Sequence, residues 1–289
     1  MTLFRQIGII GSGRVAQALA LGLAPVSETP ALLWGRSPDR ARVAARRVSA
    51  VAAPTLDHLA RACDMIAIAV SDDAVAAVAA DLARALPPGS AILVFHVSGR
   101  SGTAILAPLQ EAGAQTAAIH PAMTFTGDPQ AEIGRMTDAR FAVTGSSPEA
   151  ERRARDIVAR LGGVSVAISE DRRPLYHAAL CHASNHLVTL MAGATHALRQ
   201  AGADDPAALL APLVRAALEN SLDRGFSALS GPLLRGDDAT VEGHLDALAR
   251  WCPGLLPAYR AMALATLDEL GRTEESPLRR ALDSTPAVP

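Results

Sequence analysis

The 289-residue sequence contains no lysine, and its 27 basic residues are all arginine. That absence excludes Schiff-base chemistry, a Walker-type phosphate lysine and the Tyr-x-x-x-Lys pair of short-chain dehydrogenases. Each needs an amine or ammonium that a guanidinium does not replace. Aromatic residues make up only 3% of the chain, too few for a nucleic-acid surface built on base stacking. A formal net charge of −2 gives no global attraction to nucleic acid or anionic membrane, so a ligand must be recognised locally. Cysteine is scarce too. Cys63, Cys181 and Cys252 lie far apart without metal-type spacing, which predicts reduced thiols in a cytoplasmic protein rather than a disulfide framework. The longest clean apolar run, residues 65–70, falls well short of the ~18 residues of a membrane span. Residues 1–5 pass directly into a strand-like segment, without the apolar stretch and cleavage site of a signal peptide.

What is present is a globular composition, 49% hydrophobic and 19% charged, with length for roughly two domains. Strand-like segments at 6–10, 31–34, 49–52, 65–70, 91–97, 115–119, 141–144 and 164–168 alternate with helical patterns, apart from an irregular stretch at 121–138. That alternation predicts an α/β fold with a doubly wound, Rossmann-type parallel sheet over residues 1–169. From residue 170 to 289 the strand period disappears and apolar helical patterns follow at 176–201, 206–227, 238–250 and 257–271, an all-α domain. The polar, proline-punctuated tail at 273–289 reads as frayed.

The first strand runs into Gly11-Ser12-Gly13-Arg14-Val15-Ala16, a Gly-x-Gly-x-x-Ala loop that opens a helix. Within a βαβ unit this is the dinucleotide fingerprint: Gly11 permits the tight turn, Gly13 lets backbone approach a pyrophosphate, and Ala16 allows close helix packing. At the end of the second strand an NAD site carries an acid for the ribose hydroxyl, whereas here the chain reads Trp34-Gly35-Arg36-Ser37, with Arg40 one turn on. Arg36, Ser37 and Arg40 suit a 2′-phosphate, and NADP is the expected cofactor.

Ligands in open α/β sheets sit beyond the carboxyl ends of the strands, which adds Ser71, Asp72, His96, Ser98 and His120 to the candidate residues. On the first helix of the second half, His177, Cys181, Ser184, Asn185 and Val188 share one face, a polar stripe suited to a pocket wall. Cys181 reads as packing, and the His182 and His186 pair lacks a third ligand, so no metal is expected. Arg235 either clamps a substrate carboxylate or pairs with Asp237 or Asp238 to pin a loop. The 123–138 segment is either a lid over the cofactor or a surface excursion.

The runs Tyr176-His177-Ala178-Ala179, Ala183-Ser184-Asn185 and Leu229-Ser230-Gly231-Pro232 through Asp237, with His96-Val97-Ser98-Gly99 and His120-Pro121-Ala122-Met123, span most of the chain. Together they closely resemble predicted oxidoreductases that join a Rossmann-like domain to a DUF2520 domain. More distantly the chain is similar to pyrroline-5-carboxylate reductases, F420-dependent NADP oxidoreductases and ketopantoate reductases. The resemblance implies hydride transfer between NADPH and a small carbonyl or imine compound, an oxo or imino acid, and a homodimer built through the helical half. The catalytic lysine of ketopantoate reductases does not carry over. His177, on the helical half, is therefore the preferred proton donor and His120, which precedes Pro121 and shapes the cofactor loop, the second candidate, with Ser184 and Asn185 orienting substrate. The alternative is a non-catalytic NADP-binding redox sensor or partner module.

Overall fold

The computed structural model describes residues 4–274 and 276–283, which fall into two compact units, one running to His182 and the other from Ala183. The eight strands are β1 (Ile7–Ile10), β2 (Leu32–Trp34), β3 (Val51–Ala52), β4 (Met65–Ile68), β5 (Leu93–His96), β6 (Gln115–Pro121), β7 (Arg140–Gly145) and β8 (Val164–Ala167). They form one sheet in the order β3-β2-β1-β4-β5-β6-β7-β8. The order reverses between β1 and β4, the switch point at which a doubly wound sheet opens a crevice. The sheet is not wholly parallel: β7 runs antiparallel to β6 and carries β8 with it. The intervening 122–139 segment brings the chain back beside β6 in the opposite sense.

Helices of this unit are α1 (Arg14–Leu23), α2 (Pro38–Arg47), α3 (Leu56–Ala62), α4 (Val75–Ala85), α5 (Ala107–Glu111), α6 (Pro129–Met136) and α7 (Pro148–Arg160). Alternation along each strand divides the core in two. Ile7, Ile9, Met65, Ala67, Leu93 and Phe95 pack with α1, α6 and α7, while Ile10, Ile66, Ile68 and Val94 pack with α3, α4 and α5. Both faces are covered, so the central strands are wholly apolar rather than alternating. Side-chain caps set several helix starts: Ser37 accepts from Arg40 N, Thr55 from His58 N, and Ser147 from Ala150 N. The 121–138 stretch, read as irregular, contains α6, capped by Asp128 and anchored through buried Met136 and Glu132.

The long α8 (Arg173–Gln200) starts in the first unit and continues through the division. The second unit adds α9 (Pro206–Arg224), α10 (Pro232–Arg235), α11 (Asp238–Trp251), α12 (Leu256–Glu269) and α13 (Pro277–Asp283). Its core is built by Val241 and Leu245 of α11, Leu256, Ala263 and Leu267 of α12, and Leu278 and Leu282 of α13. Residues 277–283 are therefore a packed helix, not a frayed tail, because Leu278 and Leu282 at i, i+4 share one buried face. Residues 284–289 of that tail lie outside the described residues. No helix among the described residues is long and apolar enough to cross a membrane.

Candidate functional site

A cleft of about 930 Å³ opens along the carboxyl ends of β1, β2 and β4. Gly11, Ser12, Gly13, Arg14 and Val15 form its floor, Gly35, Arg36, Ser37 and Arg40 one wall, and Ser71, Val97 and Phe125 continue it. Gly11 has φ +132°, and a Cβ there would stand 2.1 Å from the Ala69 carbonyl oxygen, so the turn admits only glycine. At Gly13 a Cβ would meet nothing within 4 Å, which leaves the backbone open to an incoming group. No side chain caps α1 at Gly13 and its first turn holds no acid, so the helix N-terminus is left for an external anion. Arg36 and Arg40 are exposed, and neither guanidinium pairs with any described residue. Their neighbours are engaged: Arg42 pairs with Asp39, and Arg47 donates to the Gly127 carbonyl at 2.7 Å. These residues fit the phosphates of a dinucleotide, which contain the charge the loop and wall lack.

Val97 and Phe125 also line the cleft, and Val97 precedes a loop that runs into a second cluster. His120, at the end of β6, and His177, on α8, stand edge to face with ring centroids 6.1 Å apart. Gly99 makes room for both. A Cβ at that position would lie 2.6 Å from His177 Cδ2 and 2.9 Å from His120 Nε2. Tyr176 Oη lies 2.9 Å from His120 Nδ1, and Cys181 Sγ lies 3.7 Å from His177 Nε2. Burial, reinforced by the positive potential of His177 and Arg173, pushes the His120 imidazole down to about 4.

His96 is fully buried and both its ring nitrogens are used inside the protein. Nδ1 accepts the Ser98 amide at 3.1 Å, and since an amide only donates, Nε2 carries the proton and donates to the Gly102 carbonyl at 2.8 Å. Burial first, opposed by the Gly102 bond, pushes it down to about 4. His96 thus shapes the 97–102 loop and presents no free nitrogen to a ligand. Ser98 is nearly buried as well and does not line the cleft, and Asp72 pairs with Arg100 at 3.4 Å.

Two residues without a local sequence signal complete the cluster. Arg173 is fully buried; its Nε donates to Thr144 Oγ1 at 2.8 Å, and its terminal nitrogens donate to the carbonyls of Ser98, Ala118 and Ala142 at 3.0–3.2 Å. Burial lowers its guanidinium to about 10. Glu170 accepts from Thr103 N at 2.7 Å and Ala104 N at 3.1 Å, in space that Gly102 leaves free. Both bind partners 29–75 residues away, which no local pattern announces. Ser184 and Asn185 lie two turns beyond His177 on α8, the first half-buried and the second exposed. Arg235 ends α10 with its side chain exposed, while Asp237 caps α11 through Thr240. Among the described residues no group of three or more His, Cys, Asp or Glu is placed to hold a metal ion.

The fold and cleft are those of a dinucleotide-binding α/β protein with a helical extension. Residues 3–121 match the Rossmann-like domain and residues 139–266 the domain of unknown function DUF2520, so the chain belongs with the proteins that join these two domains. No curated protein matches it by sequence. Solved structures similar in fold include one from Bacteroides fragilis, provisionally described as an NADP oxidoreductase, with TM-score 0.75, 20% identity, and 91% of this chain and 98% of that one covered. The reductive aminase from Aspergillus terreus in complex with NADPH and ethyl-5-oxohexanoate has TM-score 0.69 and 17% identity over 98% of this chain and 99% of that one. A pyrroline-5-carboxylate reductase from Coxiella burnetii has TM-score 0.57 and 16% identity over 93% of this chain and 98% of that one.

Proposed function

We propose that the chain is an NADP-dependent oxidoreductase acting on a small carbonyl or imine compound of the oxo- or imino-acid kind. The observation that carries this reading is the uncapped glycine loop beside two unpaired guanidinium groups, where a carboxylate would select NAD. Neighbours of the same fold crystallised with NADPH support it. NADPH bound in the cleft would supply hydride from its nicotinamide ring. The backbone of residues 11–15 would hold the pyrophosphate, and Arg36, Ser37 and Arg40 the 2′-phosphate. Ser71, the loop at Ser98 and the imidazoles of His120 and His177 would border the reacting end.

Reduction leaves an anionic oxygen or nitrogen that needs a proton, and in this reading the imidazole pair would deliver one. The test is NADPH oxidation by purified protein with a panel of 2-oxo acids and cyclic imines that includes ketopantoate and pyrroline-5-carboxylate. Turnover of one member is expected. Tight NADPH binding without turnover on any of them would favour a non-catalytic sensor or partner module.

The working form in this reading is a cytoplasmic homodimer. Of the 28 residues of α8 only Arg173 is buried, and of the 19 of α9 only Pro206. Val188, Leu209, Leu213 and Leu222 are 58–77% exposed, and covering each fully is worth ~1.5–3 kcal/mol. A second copy presenting the same helices is the self-complementary partner for such exposed apolar side chains.

A further inference from the structure

Tyr176, at the start of α8, and His120, at the end of β6, are joined by a hydrogen bond, and the buried Arg173 stands one turn earlier on the same helix. Tyr176 Oη is 2.9 Å from His120 Nδ1, with the two rings at 86°. The other imidazole nitrogen, Nε2, lies 2.9 Å from where a Cβ on Gly99 would stand, and Gly99 is two residues beyond the Val97 that lines the cleft. Arg173 lies one helical turn before Tyr176 and on the same side of α8. Its donors meet a hydroxyl and three carbonyl oxygens, and among the described residues it forms no ion pair. The acidic groups that feel its charge are Tyr176 and Glu170, and the Glu170 carboxylate is already engaged by the Thr103 and Ala104 amides. A buried cation that no carboxylate neutralises favours a negative charge close by, and the phenol is the group free to develop one.

The geometry points to a proton relay for carbonyl reduction in which Tyr176 recharges His120 and Arg173 stabilises the phenolate that results. It rests on the reductase reading above and narrows its substrate class to compounds whose reduced atom becomes anionic, which a carbonyl oxygen does and a protonated imine does not. As hydride reaches the carbonyl carbon, the C–O π pair moves to oxygen and that oxygen takes the proton from His120 Nε2. Nδ1 then takes the phenolic proton of Tyr176. The imidazole stays neutral with its tautomer exchanged, and once product has left Nδ1 returns its proton to the tyrosinate while water reprotonates Nε2, which restores the starting state. The two electrons come with the hydride, so nothing else is oxidised.

The electrostatic surroundings agree. His120 is faced by Tyr176, His177 and Arg173 from α8, by His96 from β5 and by Asp72 after β4. Burial, His177 and Arg173 outweigh Asp72, so the imidazole is neutral at neutral pH and does not serve as a ready-made imidazolium. Burial raises the Tyr176 phenol above its ordinary value and Arg173 opposes part of that rise.

Imidazole NMR of ¹⁵N-histidine-labelled protein tests the dyad without any substrate. Wild-type His120 is expected to hold one neutral tautomer, protonated at Nε2, from about pH 8 to about pH 5, and Tyr176→Phe to mix the tautomers. Titration of wild-type His120 near its ordinary ~6.5 overturns the proposal, as does an unchanged His120 signal in Tyr176→Phe. With ketopantoate as the carbonyl probe, Tyr176→Phe should lower kcat by about 10²-fold with KM and NADPH affinity unchanged, and its residual activity should rise toward acid pH. Arg173→Lys should retain more turnover than Arg173→Met. Wild-type kcat and pH profile in Tyr176→Phe overturn the relay, whereas failure to bind NADPH overturns the reductase reading and leaves the NMR result standing.

Discussion

Replacing Gly99 by alanine adds one methyl group at the point where the loop after β5 meets both imidazoles. The backbone permits the change, since Gly99 is not in the left-handed region. The space does not: the new carbon would stand 2.6 Å from His177 Cδ2 and 2.9 Å from His120 Nε2, against the ~3.5–4.0 Å of a comfortable carbon contact. One or both rings must therefore withdraw by about 1 Å. Because both side chains are only half-buried, they can yield, and the stability cost should sit near the low end of the ~1–3 kcal/mol of overpacking. A displacement of that size at a reacting group costs on the order of 10²-fold in rate. Gly99→Ala is thus expected to unfold within a few degrees of wild type and to bind NADPH normally, yet lose roughly 10²-fold in turnover of whichever carbonyl the enzyme reduces. Wild-type turnover in a folded Gly99→Ala protein would refute a role for the imidazole pair in the chemistry.

Other predictions follow from burial and charge. His96 and His120, each lowered to about 4, stay neutral in the folded chain while their unfolded forms take up protons near ~6.5. Stability should therefore fall as pH drops from ~6.5 toward 4, by up to ~1.4 kcal/mol per pH unit for each histidine, and urea titrations of His96→Gln should show a shallower fall. Cys63, buried and pushed up to about 12, should resist thiol reagents until the chain unfolds, which a timed labelling experiment checks. Light scattering at micromolar concentration should give twice the chain mass, and Leu209→Asp with Leu213→Asp should return it to one; a wild-type monomer would end the dimer proposal.

How far the sequence discloses this molecule depends on the range of the interaction concerned. All eight strands are legible because short apolar runs bounded by turns are what a doubly covered sheet requires, as in Ile7–Ile10. The Gly11 loop and the wall at Arg36, Ser37 and Arg40 are legible for the same local reason, and the cleft unites them. The reversal at β7 is not, since strand direction is decided by where the chain returns after residue 121 and not by the composition of Arg140–Gly145. Local pattern also hides the engagement of His96 by Ser98 and Gly102, which turns a residue expected to face the cofactor into one that braces a loop. Arg173 and Tyr176 show the same limit. Arg173 lies before the helical pattern that starts at 176 and Tyr176 reads only as part of a motif, and the fold reveals the bonds of the first to β6, β7 and the loop after β5 and of the second to His120.

The most direct test of the central claim is a calorimetric comparison of NADPH and NADH binding to the wild-type chain and to Arg36→Ala. NADPH is expected to bind at least tenfold more tightly than NADH, about 1.4 kcal/mol, with the ratio collapsing in Arg36→Ala while NADH affinity is nearly unchanged. Equal affinities in the wild-type protein, or a ratio that survives Arg36→Ala, would contradict it.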